Sequence, residues 1–403
     1  MFTLLYADKD GQIYDAPGFP AWGRTGNNAI QLTDTDMIPL PEGADIMYLP
    51  GRRAMAEVSP GLAVAAILPA GYTRTYLPAF LSTKEGPQLP LYGYTAVALK
   101  NEEIYVAAVK TDDGSKWNPL RFNTAQLKKL VKVKLKEYPQ NRLFAQLANC
   151  SLNYHCCTAQ NIFYKRWEAG IPVSPHCNAQ CFGCISLQPA ECCPSPQQRI
   201  DFIPTVEEIS QVMIDHLMYA PEAIISFGQG CEGEPSLQAL QIAAGIRTTR
   251  QKTKRGVINI NTNGGFTAGI ETICEAGLNS MRVSLISART EPYNAYYRPA
   301  GYTLTDVRKS IKIAKTHGVY VSLNLLVFPG LTDRDEEVEA LEDFIADTEL
   351  DMIQMRNLNV DPDKLMGIMP PALSESIGVR SFLERLRSNF PKLVIGSYSR
   401  YVK

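Results

Sequence analysis

The chain has 403 residues and a formal net charge of −1. Hydrophobic residues make up 45% and charged residues 20%, so two or three ordinary globular domains are expected and no global field draws the chain to nucleic acid or an anionic membrane. The N-terminus, "MFTLLYADKDGQIY", reaches charge too early for a secretory signal, and no apolar run approaches the ~20 residues of a membrane span, so a cytoplasmic protein is expected.

Residues 1–115 read as a β-rich N-terminal domain. "TAVALKNEEIYVAAVK" (95–110) sets two β-favouring runs around a short polar turn, a hairpin signal, and proline and glycine punctuate the rest, as in "DAPGFPAWG". No chemical motif lies here, so a structural, lid or partner-binding role is expected. Residues 116–164 read as a helical connector. Leu127, Leu130, Val131 and Leu135 recur at helical spacing within a helical stretch over 124–149. Lys128, Lys129, Lys132, Lys134 and Lys136 beside them are expected to form a solvated face rather than to meet an acidic partner.

Residues 165–403 alternate candidate strands with helical stretches and end on a helix. The strands are Ile171–Val173, Ala223–Phe227, Val257–Thr262, Met281–Ile286, Val319–Val327 and Met352–Met355. Thr205-Val206-Glu207-Glu208 is a capping box opening the first helix, which carries Val206, Ile209, Met213 and Leu217 on one face. Six strands alternating with helices imply right-handed βαβ units and a parallel sheet. The period alone does not separate an open sheet from a closed barrel.

All ten cysteines fall between Cys150 and Cys274, a clustering that points to metal or redox work rather than a disulfide framework. "SPHCNAQCFGCISLQP" (174–189) holds Cys177, Cys181 and Cys184, directly after the first strand, where α/β folds place chemistry. Three soft thiolates suit zinc or an iron–sulfur cluster, but structural zinc wants four protein ligands. A cubane on three cysteines would leave one iron open. Three readings stand at this point: an enzyme using that open iron, an iron–sulfur electron carrier or redox sensor, and a zinc-stabilised binding module.

Gly228, Gly230 and Gly233 spell the dinucleotide fingerprint G-x-G-x-x-G after the second strand. The acidic residue expected about 20 positions later is missing, since "RQKTKRG" there is basic. Close backbone approach to a ligand explains these glycines better.

The cysteine spacing after the first strand resembles the radical S-adenosylmethionine superfamily, and other positions match in that family's order. Gly233-Glu234-Pro235 in "SFGQGCEGEPSL" is similar to the end of its Gly-Gly-Glu-Pro motif, with Glu232 where the first glycine is usual. "NINTNGG" resembles its Thr-Asn-Gly turn, "MRVSLIS" its Arg-Val-Ser-Leu strand, and "VSLNLLVFPGLTD" the strand behind the adenine. The likeness spans roughly residues 170 to 360. It implies a partial (β/α)6 TIM-like barrel at 165–403. It also implies a [4Fe-4S] cluster on Cys177, Cys181 and Cys184, with S-adenosyl-L-methionine chelating the fourth iron and touching Gly233, Glu234, Thr262, Asn263, Ser284 and Asn324. The activity implied is reductive cleavage of the cofactor to a 5′-deoxyadenosyl radical that modifies an unidentified substrate, with no side chain beyond the cluster ligands assigned a chemical step. A reductant such as ferredoxin or flavodoxin, and sensitivity to oxygen, follow from the same resemblance.

Cys274 lies in a helical stretch and reads as a buried apolar thiol. The spare cysteines Cys150, Cys156, Cys157, Cys192, Cys193 and Cys231 bracket the motif and are numerous enough for a second iron–sulfur cluster. Arg356, Asn357, Asn359 and Asp361 after the sixth strand, with Tyr296, Tyr297 and Arg298 after the fourth, are candidate substrate contacts.

Overall fold

The computed structural model describes residues 1–56, 60–83, 86–188 and 193–402. The N-terminal region is β-rich as expected, with a ten-stranded sheet and a three-stranded sheet. The hairpin pairs Val97–Lys100 with Glu103–Lys110, and its turn residues Asn101 and Glu102 both take positive φ, 51° and 64°. That is the type I′ geometry that matches strand twist.

The stretch expected as one helix over 124–149 is two. α1 (Leu127–Glu137) stops before Pro139, and α2 (Arg142–Leu152) restarts on Asn141, whose side chain accepts the Phe144 N–H. Proline cannot donate within a helix and disfavours helical backbone in the residue before it. Of the five lysines, Lys128, Lys129, Lys132 and Lys136 are exposed. Lys134 is buried and paired with Asp215 at 2.8 Å, so one lysine has its acidic partner inside the protein. α3 (Cys157–Tyr164) then leads into the core.

The core is a parallel sheet of seven strands in sequence order: β1 (Glu168–Ile171), β2 (Ile224–Phe227), β3 (Val257–Thr262), β4 (Ser280–Leu285), β5 (Tyr320–Val327), β6 (Met352–Asn357) and β7 (Val394–Gly396). β7 is three residues long, too short to show alternation. β1 lies earlier than the expected Ile171–Val173. The reason is local: the Val173 and Ser174 N–H groups leave the ladder to reach the Glu232 carboxylate.

The two faces of this sheet differ in chemistry. Ile225, Ile260, Val283, Leu323 and Ile353 pack into one apolar core with helices α4 (Val206–Tyr219), α5 (Ala239–Lys252), α6 (Thr267–Glu275), α7 (Thr290–Tyr297), α8 (Leu304–Thr316) and α9 (Asp335–Thr348). The alternate residues are polar and hydrogen-bonded to one another. Glu168 accepts from Ser226 at 2.7 Å, Asn259 joins Ser226 to Ser280, and Arg282 donates to Gln354 at 2.9 Å. Arg282 Nη2 also lies 3.7 Å from Glu168, although their strands are separated by three spacings, roughly 14 Å in a flat sheet. The sheet is therefore curled around its polar face. Ser399, beyond β7, bonds both Glu168 and Arg282 and closes the curl from the other side.

The N-terminal region is seated beside the C-terminal ends of β5 and β6. Arg74 donates to the Leu358 and Val327 carbonyls, Asn357 bonds the Arg74 and Tyr72 backbone, and Arg52 pairs with the buried Asp361 at 2.8 Å. Among the described residues, no helix is long and apolar enough to cross a membrane.

The capping box at α4 forms as expected. Thr205 accepts the Glu208 N–H, Glu208 accepts the Thr205 N–H, and Arg142 clamps the same carboxylate at 2.7 and 2.8 Å. The Arg142 guanidinium holds the Glu208 pKa down at about 2, against an ordinary 4.5. A depressed carboxyl stabilises the fold above its unfolded pKa and loses that contribution as pH falls. Glu208→Ala should cost about 1–2 kcal/mol at neutral pH. In urea titrations the gap to wild type should be full at about pH 5 and visibly smaller at about pH 3; a gap independent of pH would refute the assignment.

Candidate active site

The site begins at the loop after β1, which is tied down on two sides. On one side the Gln180 and Phe182 N–H groups donate to the Tyr297 and Tyr296 carbonyls, and Ala300 N–H donates to the Asn178 carbonyl. Tyr296 and Tyr297, candidate substrate contacts from sequence, are buried and serve this seam. On the other side the Gly233 and Glu234 N–H groups donate to the Ser174 and His176 carbonyls at 2.7 and 2.8 Å. Any side chain at Gly233 would collide with the His176 carbonyl, and one at Gly228 with the Asn261 carbonyl. Neighbouring backbone alone is enough to require glycine at these two positions.

Glu232 organises this junction. Its carboxylate accepts the N–H groups of Val173 and Ser174 from beyond β1, and of Gly228 and Gln229 from beyond β2. Burial raises its pKa, and the four N–H donors pull the other way; with both oxygens accepting, the geometry is that of a carboxylate.

Cys177, Cys181 and Cys184 lie on the loop so held, each within electrostatic reach of another. Burial pushes the Cys177 thiol up to about 11 and Cys181 well above its ordinary range. Cys184 faces a cation instead: Arg199 Nη2 lies 3.9 Å from its sulfur, and Arg199 Nε donates to Ser186, a second neighbour of that sulfur. Arg199 was not singled out from sequence, because only the fold brings position 199 back to 184. Among the described residues, no three Cys, His, Asp or Glu side chains are already drawn together as a metal site. His176, the one histidine in the loop, is exposed. The donor set is thus three soft thiols on a fixed loop, which fits a cluster with one open iron better than structural zinc.

The other expected contacts fall into two groups. Glu234 accepts from Thr262 Oγ1 at 2.6 Å and from the Asn263 N–H at 2.8 Å, and Asn263 donates to Asn178 on the cysteine loop. Gly233, Glu234, Thr262 and Asn263 are thereby gathered beside Cys177. Ser284 and Asn324 are register partners on β4 and β5, on the polar face. Thr262 pairs with Val283, so Asn263 falls level with Ser284. Asn357 and Asp361, in contrast, are spent on holding the N-terminal region.

The spare cysteines divide. Cys150 and Cys231 share a hydrogen bond between buried thiols, and Cys156 lies within electrostatic reach of both. Cys193 is contacted by Gln188 and lines a cavity of about 680 Å³ whose lining also includes Gln146, a donor to Cys150. Cys192 lies outside the described residues. Cys274 is a buried thiol of the apolar core, as expected.

Residues 171–344 match the family model of the Radical SAM superfamily, and this domain supports an enzyme of that class. Among solved structures it is similar to methylornithine synthase (PylB), at 17% identity and a TM-score of 0.38, over 66% of this chain and 73% of that one. A radical SAM methyltransferase from Sphaerobacter thermophilus gives 14% identity and 0.38, over 58% and 67%. SuiB from Streptococcus suis bound to S-adenosylmethionine gives 11% and 0.38, over 68% and 61%. A comparison with curated proteins finds no match.

Replacing Glu232 by glutamine turns an acceptor-only group into one that presents N–H to N–H. Glu232→Gln should destabilise the apo-protein by about 2–3 kcal/mol in urea unfolding. An unchanged midpoint would show that the carboxylate does not gather the strand ends.

Proposed function

We propose that Cys177, Cys181 and Cys184 hold one [4Fe-4S] cluster and that S-adenosyl-L-methionine completes it at the open iron. The observation that carries this reading is the fixed loop with three half-buried thiols and, among the described residues, no group of metal-ligating side chains already drawn together beside them. When bound, the pair supplies a 5′-deoxyadenosyl radical by one-electron cleavage of the cofactor. The chain's own residues bind and orient. Glu234, Thr262 and Asn263 form a polar rim beside Cys177, while Ser284 and Asn324 present hydroxyl and amide groups from the polar face. The buried tyrosines Tyr293, Tyr296 and Tyr297 back the Cys181 side of the loop and exclude water there.

In this reading the curled sheet is a partial (β/α)6-type barrel whose polar lumen receives the substrate. Residues 1–115, 116–164 and 165–403 act as lid, connector and catalytic domain. An electron carrier would leave the rim and lumen without a task. The enzyme works in a reducing cytoplasm with ferredoxin or flavodoxin as electron donor.

Anaerobic reconstitution with iron and sulfide is the test. Changing all three motif cysteines to alanine should remove one cluster's worth of iron and abolish formation of 5′-deoxyadenosine. Cofactor cleavage that survives the triple change would sink the assignment.

The same variant tests a second cluster. We infer that Cys150, Cys156 and Cys231, together with Cys193, are its ligands. The support is that the Cys150 and Cys231 thiols are hydrogen-bonded and Cys156 lies within electrostatic reach of both, with Cys193 lining a cavity that also holds Gln146, a donor to Cys150. About four residual irons per chain, lost in Cys150→Ala or Cys231→Ala, are expected in the triple variant. No residual iron would leave these cysteines as packing thiols.

A further inference from the structure

The polar face has two storeys. The lower one is closely knit: Glu168, Ser226, Asn259, Ser280, Arg282 and Gln354 are buried and bonded to one another or to Ser399. The upper one, nearer the strand ends, holds Ser284, Asn324 and Arg356, all partly accessible. The lower storey is a floor. The upper is the wall of the space above it.

Arg356 is the one charged residue among those three. Its Nε donates to Asn324 Oδ1 at 3.2 Å, which fixes the plane of the guanidinium, and its two terminal nitrogens have no partner among the described residues. Among the described residues, no carboxylate lies within ion-pair distance of it. The acids it feels most, Glu168 and Asp112, are already engaged, the first with Ser226, Ser399 and Arg282 and the second with Ser397 and Arg400. Other interior arginines differ: Arg52 and Arg24 pair with Asp361 and Asp363, Arg282 lies against Glu168, and Arg74 donates to three carbonyls. An arginine withdrawn from water without a counter-ion is costly unless something else supplies the charge. Burial indeed pulls its pKa down, to about 10.

We propose that Arg356 is the docking point for an anionic group of the substrate, a carboxylate or a phosphate, held by the open edge of its guanidinium fork beside Asn324. This rests on the reading of the polar face as the reaction chamber. Planar guanidinium matches either anion through two parallel N–H···O bonds, which an ammonium does not. Asn324 Nδ2, left available once Oδ1 accepts from Arg356, is a further donor for the same anion. The rival source of a carboxylate is the methionine part of the cofactor, and the test separates the two.

Calorimetric titration of the unreconstituted protein with inorganic phosphate at constant ionic strength is the first arm. Wild type should bind, and Arg356→Gln should bind roughly 30-fold more weakly or not at all. Arg356→Lys, which keeps the charge and loses the fork, should fall between them. The second arm measures S-adenosyl-L-methionine affinity of the reconstituted proteins, which should agree within about twofold between wild type and Arg356→Gln. Equal phosphate binding by wild type and both variants, or no binding by wild type, overturns the proposal. A tenfold or greater loss of cofactor affinity in Arg356→Gln also overturns it, by assigning the charge to the cofactor. The phosphate arm needs no cluster, so failure of the cluster assignment would show separately, as absent iron.

Discussion

One buried carboxylate sets the geometry on which the site depends. Glu232 takes two N–H groups from the chain leaving β1 and two from the chain leaving β2, where the end of a parallel ladder would otherwise strand them. Drawing both segments onto one pair of oxygens brings Gly233 and Glu234 against Ser174 and His176. The cysteine loop is then fixed from below by β2 and from the side by the Tyr296–Ala300 segment. Glu232 is thus an anchor that acts on the backbone of both segments.

The same logic runs through the polar face. A parallel sheet covered by helices on its outer side has nothing apolar to place inside unless side chains fill the space. This chain fills the lower half with a hydrogen-bonded network centred on Glu168 and Arg282 and leaves the upper half partly accessible. Such a network resists movement, because each group that moves would leave a buried partner unpaired. The floor therefore holds β1, β4 and β6 in a fixed curl and aligns Ser284, Asn324 and Arg356 above it. The N-terminal region adds to this from the strand ends, since Arg74 and Arg52 reach across to the backbone and side chains just beyond β5 and β6.

Much of this was legible in the sequence where a single local rule governs. The alternation of strands with helices, the capping box at Thr205–Glu208 and the hairpin at 95–110 depend on neighbours a few residues apart, and each appears. The three-cysteine spacing is local as well. Pro139 was equally visible, yet lysine and leucine periodicity ran through it and hid the break. Lys134 looked like its neighbours because its partner, Asp215, is 81 positions away.

Sequence by itself determined the cysteine spacing, the strand–helix alternation and the family resemblance they carry, because thiol spacing and strand-end motifs are short and tied to the βα unit that carries each. Only the tertiary structure decided what those residues touch. It spent Asn357, Asp361, Tyr296 and Tyr297 on holding the framework, recruited Arg199 to Cys184, and left Arg356 without a counter-ion among the described residues. These outcomes turn on which long-range partner reaches a buried charge or amide first. That competition is settled by packing in three dimensions, where desolvation makes every unmatched polar group costly.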